Sequence, residues 1–164
     1  MSEPSESVIG IIRSEKIKYK KKYGFCLLIT NERIIGKEME SMELPQAIYF
    51  NSKPFEEHHY DITLIEEFNN KKKFEFQKKN IYDLCLSILP FPEGFDGYLF
   101  IIARNKNILL DLKNNVSCEN GFDSHENEVL TKSLSEFAPD HLTIEPYVFF
   151  IQGSFGGGSI PYTP

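Results

Sequence analysis

YGFCLLITNERIIG, residues 23–36, holds two apolar runs, Phe25 to Ile29 and Ile34 to Ile35. The polar break Thr30-Asn31-Glu32-Arg33 divides them. Short apolar runs either side of a polar turn predict a β-hairpin at the centre of an antiparallel sheet. The rest of the chain reads as strands added to that hairpin, with one helix late on.

Outward to the N-terminus, Ile9, Ile11, Ile17 and Tyr19 keep even spacing within Val8 to Tyr19. This predicts one long first strand, bent near Ser14, with residues 1–7 as a disordered leader. Lys20-Lys21-Lys22-Tyr23-Gly24 is the predicted hairpin tip, with Gly24 supplying backbone freedom.

Outward to the C-terminus, Lys37 to Leu44 is charged and has little β character, and Pro45 ends it. Ala47 to Phe50 is a short strand candidate, followed by a loop over Asn51 to His59. Tyr60 to Phe68 fits either element: Ile62, Leu64, Ile65 and Phe68 suit a helix face, while Ile62 and Leu64 also alternate like a strand. Lys73 to Gln77 alternates as a strand, and Ile81 to Leu89 is another, broken at Pro90 to Gly94. Gly97 to Ala103 and Ile108 to Leu112 form a second hairpin around Arg104 to Asn107. Asp123 or Ser124 opens a helix and either can cap its first turn; Asp123 stands three residues before Glu126, the spacing of a capping box, and Val129, Leu130, Leu134 and Phe137 share one helical face. Pro139 stops this helix. Leu142 to Ile151 is a last extended segment, and residues 153–164 are a Gly- and Pro-rich tail. One domain, residues 8–152, results, with a variable insertion at about residues 37–70.

Composition narrows the function classes. The chain has 164 residues, enough for a core that needs no metal or disulfide. Fourteen Phe and eight Tyr with no Trp favour sheet. A net charge of −6 argues against general nucleic-acid binding. The charge is segregated, however: Arg13 to Lys22 holds six basic residues against one acid, and Lys37 to Glu67 holds eight acids against two lysines. Cys26, Cys85 and Cys118 are widely spaced, with no CxxC pair, which suits a reducing, cytoplasmic setting. The start MSEPSES does not read as a secretory signal, and no apolar run approaches the ~20 residues that cross a bilayer. The sequon Asn115-Val116-Ser117 carries no weight without export.

The order of elements, with LITNERII in the second and third strands, FEF at residues 74–76, an Ile-rich strand and a closing amphipathic helix, resembles the prokaryotic PH-like domains. That group is related in architecture to GRAM and pleckstrin-homology domains. The resemblance spans roughly residues 8–144. It implies a mainly β fold with one C-terminal α-helix: a β-roll or partly open barrel of two near-orthogonal antiparallel sheets. The helix would plug it with Val129, Leu130, Leu134 and Phe137. In phosphoinositide-binding pleckstrin-homology domains, basic residues around the first hairpin grip the headgroup. By position, Lys18, Lys20, Lys21 and Lys22 could do so here, joined by Arg33.

That lysine cluster, interleaved with Tyr19 and Tyr23, is the strongest functional signal. Each basic residue near an anionic bilayer contributes about 1 kcal/mol of attraction. The blander alternative is a solvated hairpin tip whose lysines deter edge-to-edge aggregation. His58, His59 and Asp61 form the densest ligand-like cluster, but adjacent residues on an extended chain point to opposite sides, so no metal site is predicted. His125, Glu126 and Glu128 read as the acidic first turn of a helix. No HExxH, GxSxG or paired-Cys array occurs, and residues 153–159 lack the Lys and the following helix of a phosphate loop. Tyr147 to Ile151 reads as a last strand, or as a sticky segment if exposed.

The sequence therefore predicts a non-enzymatic binding or scaffold domain with no cofactor, acting through contacts with a protein partner or a second copy of itself. The alternative is a peripheral membrane module that holds anionic lipid through Lys18 to Lys22.

Overall fold

A computed structural model describes residues 6–50, 58–91, 94–104, 106–112 and 123–146. Tyr147 to Ile151, the tail, Cys118 and the sequon lie outside the described residues, as do the side chains of His58 and His59. The chain runs β1 (Val8–Tyr19), β2 (Lys22–Thr30), β3 (Arg33–Glu38), β4 (Gln46–Tyr49), α1 (His58–Lys71), β5 (Lys72–Gln77), β6 (Ile81–Phe91), β7 (Gly94–Ala103), β8 (Asn107–Leu112), α2 (Ser124–Phe137) and β9 (Leu142–Pro146).

The predicted central hairpin forms, with Ile29 opposite Ile34 and Leu28 opposite Ile35. Thr30 builds the turn: its hydroxyl accepts the amides of Glu32 and Arg33, both at 3.0 Å. The sheet is mainly β as expected, but it is one sheet and not two. Its order is β5-β3-β2-β1-β8-β7-β6-β9, with β4 also on β1. The long first strand is why one sheet suffices. Gly10 to Arg13 pair with β2 on one side and β4 on the other, while Ile17 to Tyr19 pair with β8. The change of partner follows an irregularity between Ser14 and Lys18, where the bend was expected. Nor is the sheet wholly antiparallel. β9 lies parallel to β6, Leu84 opposite Leu142, because the chain reaches it by way of β7, β8 and α2. Pro90 does not end β6, whose hairpin with β7 closes at Phe91 and Gly94.

One core cluster draws on strands from both arms of the sheet and on α2. It includes Leu27, Ile34 and Phe76 from one arm, Leu86, Leu99 and Leu110 from the other, and Val129, Leu130, Leu134 and Phe137. Strands remote in the pairing order share this core, so the sheet curls around the helix. The sheet nevertheless remains open, since β5 and β9 end the order. The α2 N-terminus carries the expected capping box: Asp123 accepts the Glu126 amide and Glu126 accepts the Asp123 amide. Lys16 of β1 also reaches Glu126, at 3.3 Å.

The expectation of a single helix is corrected by α1. Asp61, Leu64 and Phe68 are buried on one side of it. Leu64 and Phe68 pack with Val8, Ile11, Cys26, Leu28 and Ile35 on the outer sheet face. Asp61 ties the helix down by accepting the Val8 amide at 3.0 Å. Ile62, which made the segment look strand-like, points to solvent. Glu6 and Ser7, assigned to the leader, also dock: Ser7 exchanges hydrogen bonds with Asn31, and Glu6 pairs with Arg33. No helix among the described residues is long and apolar enough to cross a membrane.

Candidate functional site

Tyr19 and Lys22 are the last paired residues of the β1–β2 hairpin, so Lys20 and Lys21 form a two-residue turn, tighter than the predicted tip. Lys20 adopts φ 60°, in the left-handed region that such turns usually fill with glycine. Gly24, at φ 94°, sits inside β2 at the irregular part of the pairing, and its carbonyl accepts the Met39 amide at 3.0 Å.

Beneath the turn is a cleft of about 370 Å³ lined by Tyr19, Lys20, Lys21, Lys22, Phe25, Glu38 and Lys73. Its floor is aromatic. Tyr19 meets Phe25 edge-on at 5.5 Å and Phe74 at 4.9 Å between ring centres. Lys20 lies over the Tyr19 ring and Lys18 over Tyr23, each at 5.3 Å. Lys22 and Lys73 approach Glu38 at 2.7 and 3.7 Å. The Lys22 hydrogen bond, with help from Lys73, holds the Glu38 carboxyl below the usual range. The rim is thus basic, with one internal acid already shared by two lysines. Such a surface can hold phosphate or carboxylate groups against the lysine ammoniums while the rings support the lysine stems.

The lysines Lys18, Lys20, Lys21 and Lys22 come together as the sequence suggested. Arg33 does not join them. It begins β3 at the opposite end of β2, where its guanidinium is held by Glu6 and Glu75, both at 2.8 Å, and by Asn69 at 2.9 Å. The hydrogen bonds that Arg33 donates to the Glu6 carboxylate do most to raise the guanidinium pKa. Lys73 takes its place in the cluster. Sequence reading missed it because only the β3–β5 pairing carries residue 73 to the lysine end of the sheet.

Sequence reading also missed a buried ionic group under α1. Lys37, read as the start of a charged stretch with little β character, belongs to β3 and is 0 % exposed. Its ammonium meets Glu43 at 2.9 Å and Glu67 at 3.5 Å. Arg13 binds Glu43 and spans both Glu67 oxygens, at 3.0 and 3.2 Å. Both cations lie over the Phe68 ring at 5.5 Å. Burial disfavours ionised Glu43, but the Glu40 amide, Lys37 and Arg13 outweigh it and hold its pKa below the usual carboxylate range. Burial pushes the neighbouring Cys26 thiol up to about 11, although Lys37 opposes it. These contacts are internal and satisfied, so the group is part of the scaffold.

A second, larger cleft of about 570 Å³ lies at the other end, lined by Asn31, Glu32, Gln77, Lys78, Lys79, Ile81 and His141. Lys78 is turned over the Phe137 ring there, at 5.7 Å. Among the described residues no cluster of three or more His, Cys, Asp or Glu could hold a metal ion. His125 contacts the Ala47 carbonyl at 2.7 Å, tying α2 to β4.

Comparison with known proteins returned no matching family model, no matching curated protein and no matching solved structure.

Proposed function

We propose that this chain is a non-enzymatic binding module of PH-like architecture and that it docks on anionic lipid through the β1–β2 hairpin end. The architecture is supported by a sheet that curls around one plugging helix, α2. The observation that carries the function is the Lys20 turn. A lysine occupies a backbone position that disfavours every side chain, at the head of a cleft lined by three more lysines and by Tyr19 and Phe25. Strain of this kind concentrates at binding sites. The neighbouring Lys18 adds a further positive charge. Cosedimentation with vesicles of phosphatidylcholine, with and without phosphatidylserine, tests the reading. Binding restricted to the anionic vesicles and weakening steeply as salt rises is the expected result. Equal binding to both, or none, contradicts it.

The sheet edge favours a second reading, contact with a protein partner or a second copy. β9 ends the sheet order, pairs among the described residues only with β6, and exposes Ile144. An extended segment could add there. Analytical ultracentrifugation of the full chain beside an Ile144→Lys variant distinguishes self-association at this edge from its absence.

A further inference from the structure

We propose that the loop joining β3 to β4 is a bilayer-inserting element, with Met42 and Leu44 entering the headgroup–acyl boundary while the neighbouring lysines hold lipid phosphates. This deepens, and rests on, the anionic-lipid reading of the hairpin end.

Met42 is 89 % exposed and Leu44 79 %, the two most exposed large apolar side chains among the described residues. The local fold holds them out. The Glu43 amide closes a β-turn on the Glu40 carbonyl at 3.0 Å, which puts Ser41 and Met42 at its corners. Glu43, between the two apolar residues, is turned inward: its carboxylate takes Lys37, Arg13 and the Glu40 amide. Because that side chain is fixed against the sheet, Met42 and Leu44 cannot collapse onto the core without breaking buried ion pairs. The loop is therefore ordered before it meets a partner, and little further entropy is lost on docking.

Its position suits the hairpin. The Met39 amide binds the Gly24 carbonyl, and the loop shares a depression of about 430 Å³ with Tyr23, Gly24 and Glu15. The acids of the loop would repel an anionic bilayer if they stood alone, but each is paired. Glu38 has Lys22 and Lys73, Glu40 has Lys71, and Glu43 has Lys37 and Arg13. Two apolar side chains flanked by Glu38, Glu40 and Glu43, each paired with a cation, and beside a lysine cluster match the combination of apolar burial and electrostatic attraction that binds proteins to the plane of a bilayer.

The chain contains no Trp, so Met42→Trp in the full chain gives a single indole reporter. With phosphatidylcholine–phosphatidylserine vesicles, its emission should shift to the blue and be quenched by brominated acyl chains. Met42→Ser/Leu44→Ser should bind the same vesicles about tenfold more weakly or worse, with an unchanged salt slope and an unchanged thermal midpoint. If the wild-type chain binds but the indole neither shifts nor is quenched, or the double variant binds as wild type, the insertion is overturned and the lysine reading stands. If the wild-type chain binds no anionic vesicle even at low salt, the lysine reading fails and takes the insertion with it.

Discussion

Phe74 lies flat on Gly36. The two are partners across β3 and β5, and a Cβ built on Gly36 would fall 2.1 Å from the Phe74 Cζ atom. The glycine is thus the floor on which the ring sits, and the ring in turn supports Tyr19 beneath the lysine turn.

Gly36→Ala should therefore destabilise the fold by about 1–3 kcal/mol, because the ring must leave its place. The ordinary β-strand advantage of Ala over Gly, about 0.5–1 kcal/mol, opposes this and is smaller. In a Phe74→Leu background the same change should cost far less. Urea denaturation of the four-member cycle measures the coupling.

Lys20→Gly should separate stability from binding. Glycine relieves the left-handed backbone and should raise stability by about 1 kcal/mol. The lost charge should weaken binding to anionic vesicles by about 1 kcal/mol, roughly fivefold. Thermal unfolding and cosedimentation of the same preparation check both signs. A variant that is more stable and binds equally well removes Lys20 from the site.

The ionic group under α1 should make the fold acid-sensitive. Glu43 has a folded pKa below its unfolded value, so its stabilisation is complete above about pH 5 and fades as pH falls through the folded value. Glu75, held down against burial by Lys72 and Arg33, acts in the same direction. Glu43→Gln should cost about 3 kcal/mol at neutral pH, since it leaves buried Lys37 with only the more distant Glu67 as a counter-charge, and should flatten the acid limb. Lys37→Met should cost less, because Glu43 and Glu67 keep Arg13. Urea midpoints from pH 7 downwards test this order.

Cys26 should be inert in the folded protein. It is fully buried and its thiol titrates far above neutral pH. In a Cys85→Ser/Cys118→Ser variant, maleimide labelling should stay negligible under native conditions and rise with the unfolded fraction in urea. Rapid native labelling would mean that α1 and the β3–β4 loop open readily.

Much of this architecture was legible because the local signals agreed. Phe25 to Ile35 formed the hairpin, and Asp123 with Glu126 formed the capping box at the predicted spacing. The four apolar residues of α2 reached the core. The missing helix had left a trace. Phe25 to Thr30 is buried at every position, and a strand buried on both faces needs a cover on both. α2 supplies one and α1 the other. Lys37 was misread because a charge argues against a buried strand position, and its partners Glu43 and Glu67 lie six and thirty positions away, where no local pattern connects them. Lys73 and Arg33 exchanged places in the site for a similar reason. Composition shows that a residue is basic, but only strand pairing decides which end of the sheet it occupies.

The most direct measurement is cosedimentation of the wild-type chain and a Lys20→Glu/Lys21→Glu/Lys22→Glu variant with phosphatidylserine-containing vesicles across a salt series. Wild type should bind at low salt with an affinity that falls as salt rises, and the variant should lose more than about a hundredfold, each reversal removing one attraction and adding one repulsion. Equal binding by the two proteins, or wild-type binding indifferent to salt, would contradict a lysine-built anionic site at the hairpin end.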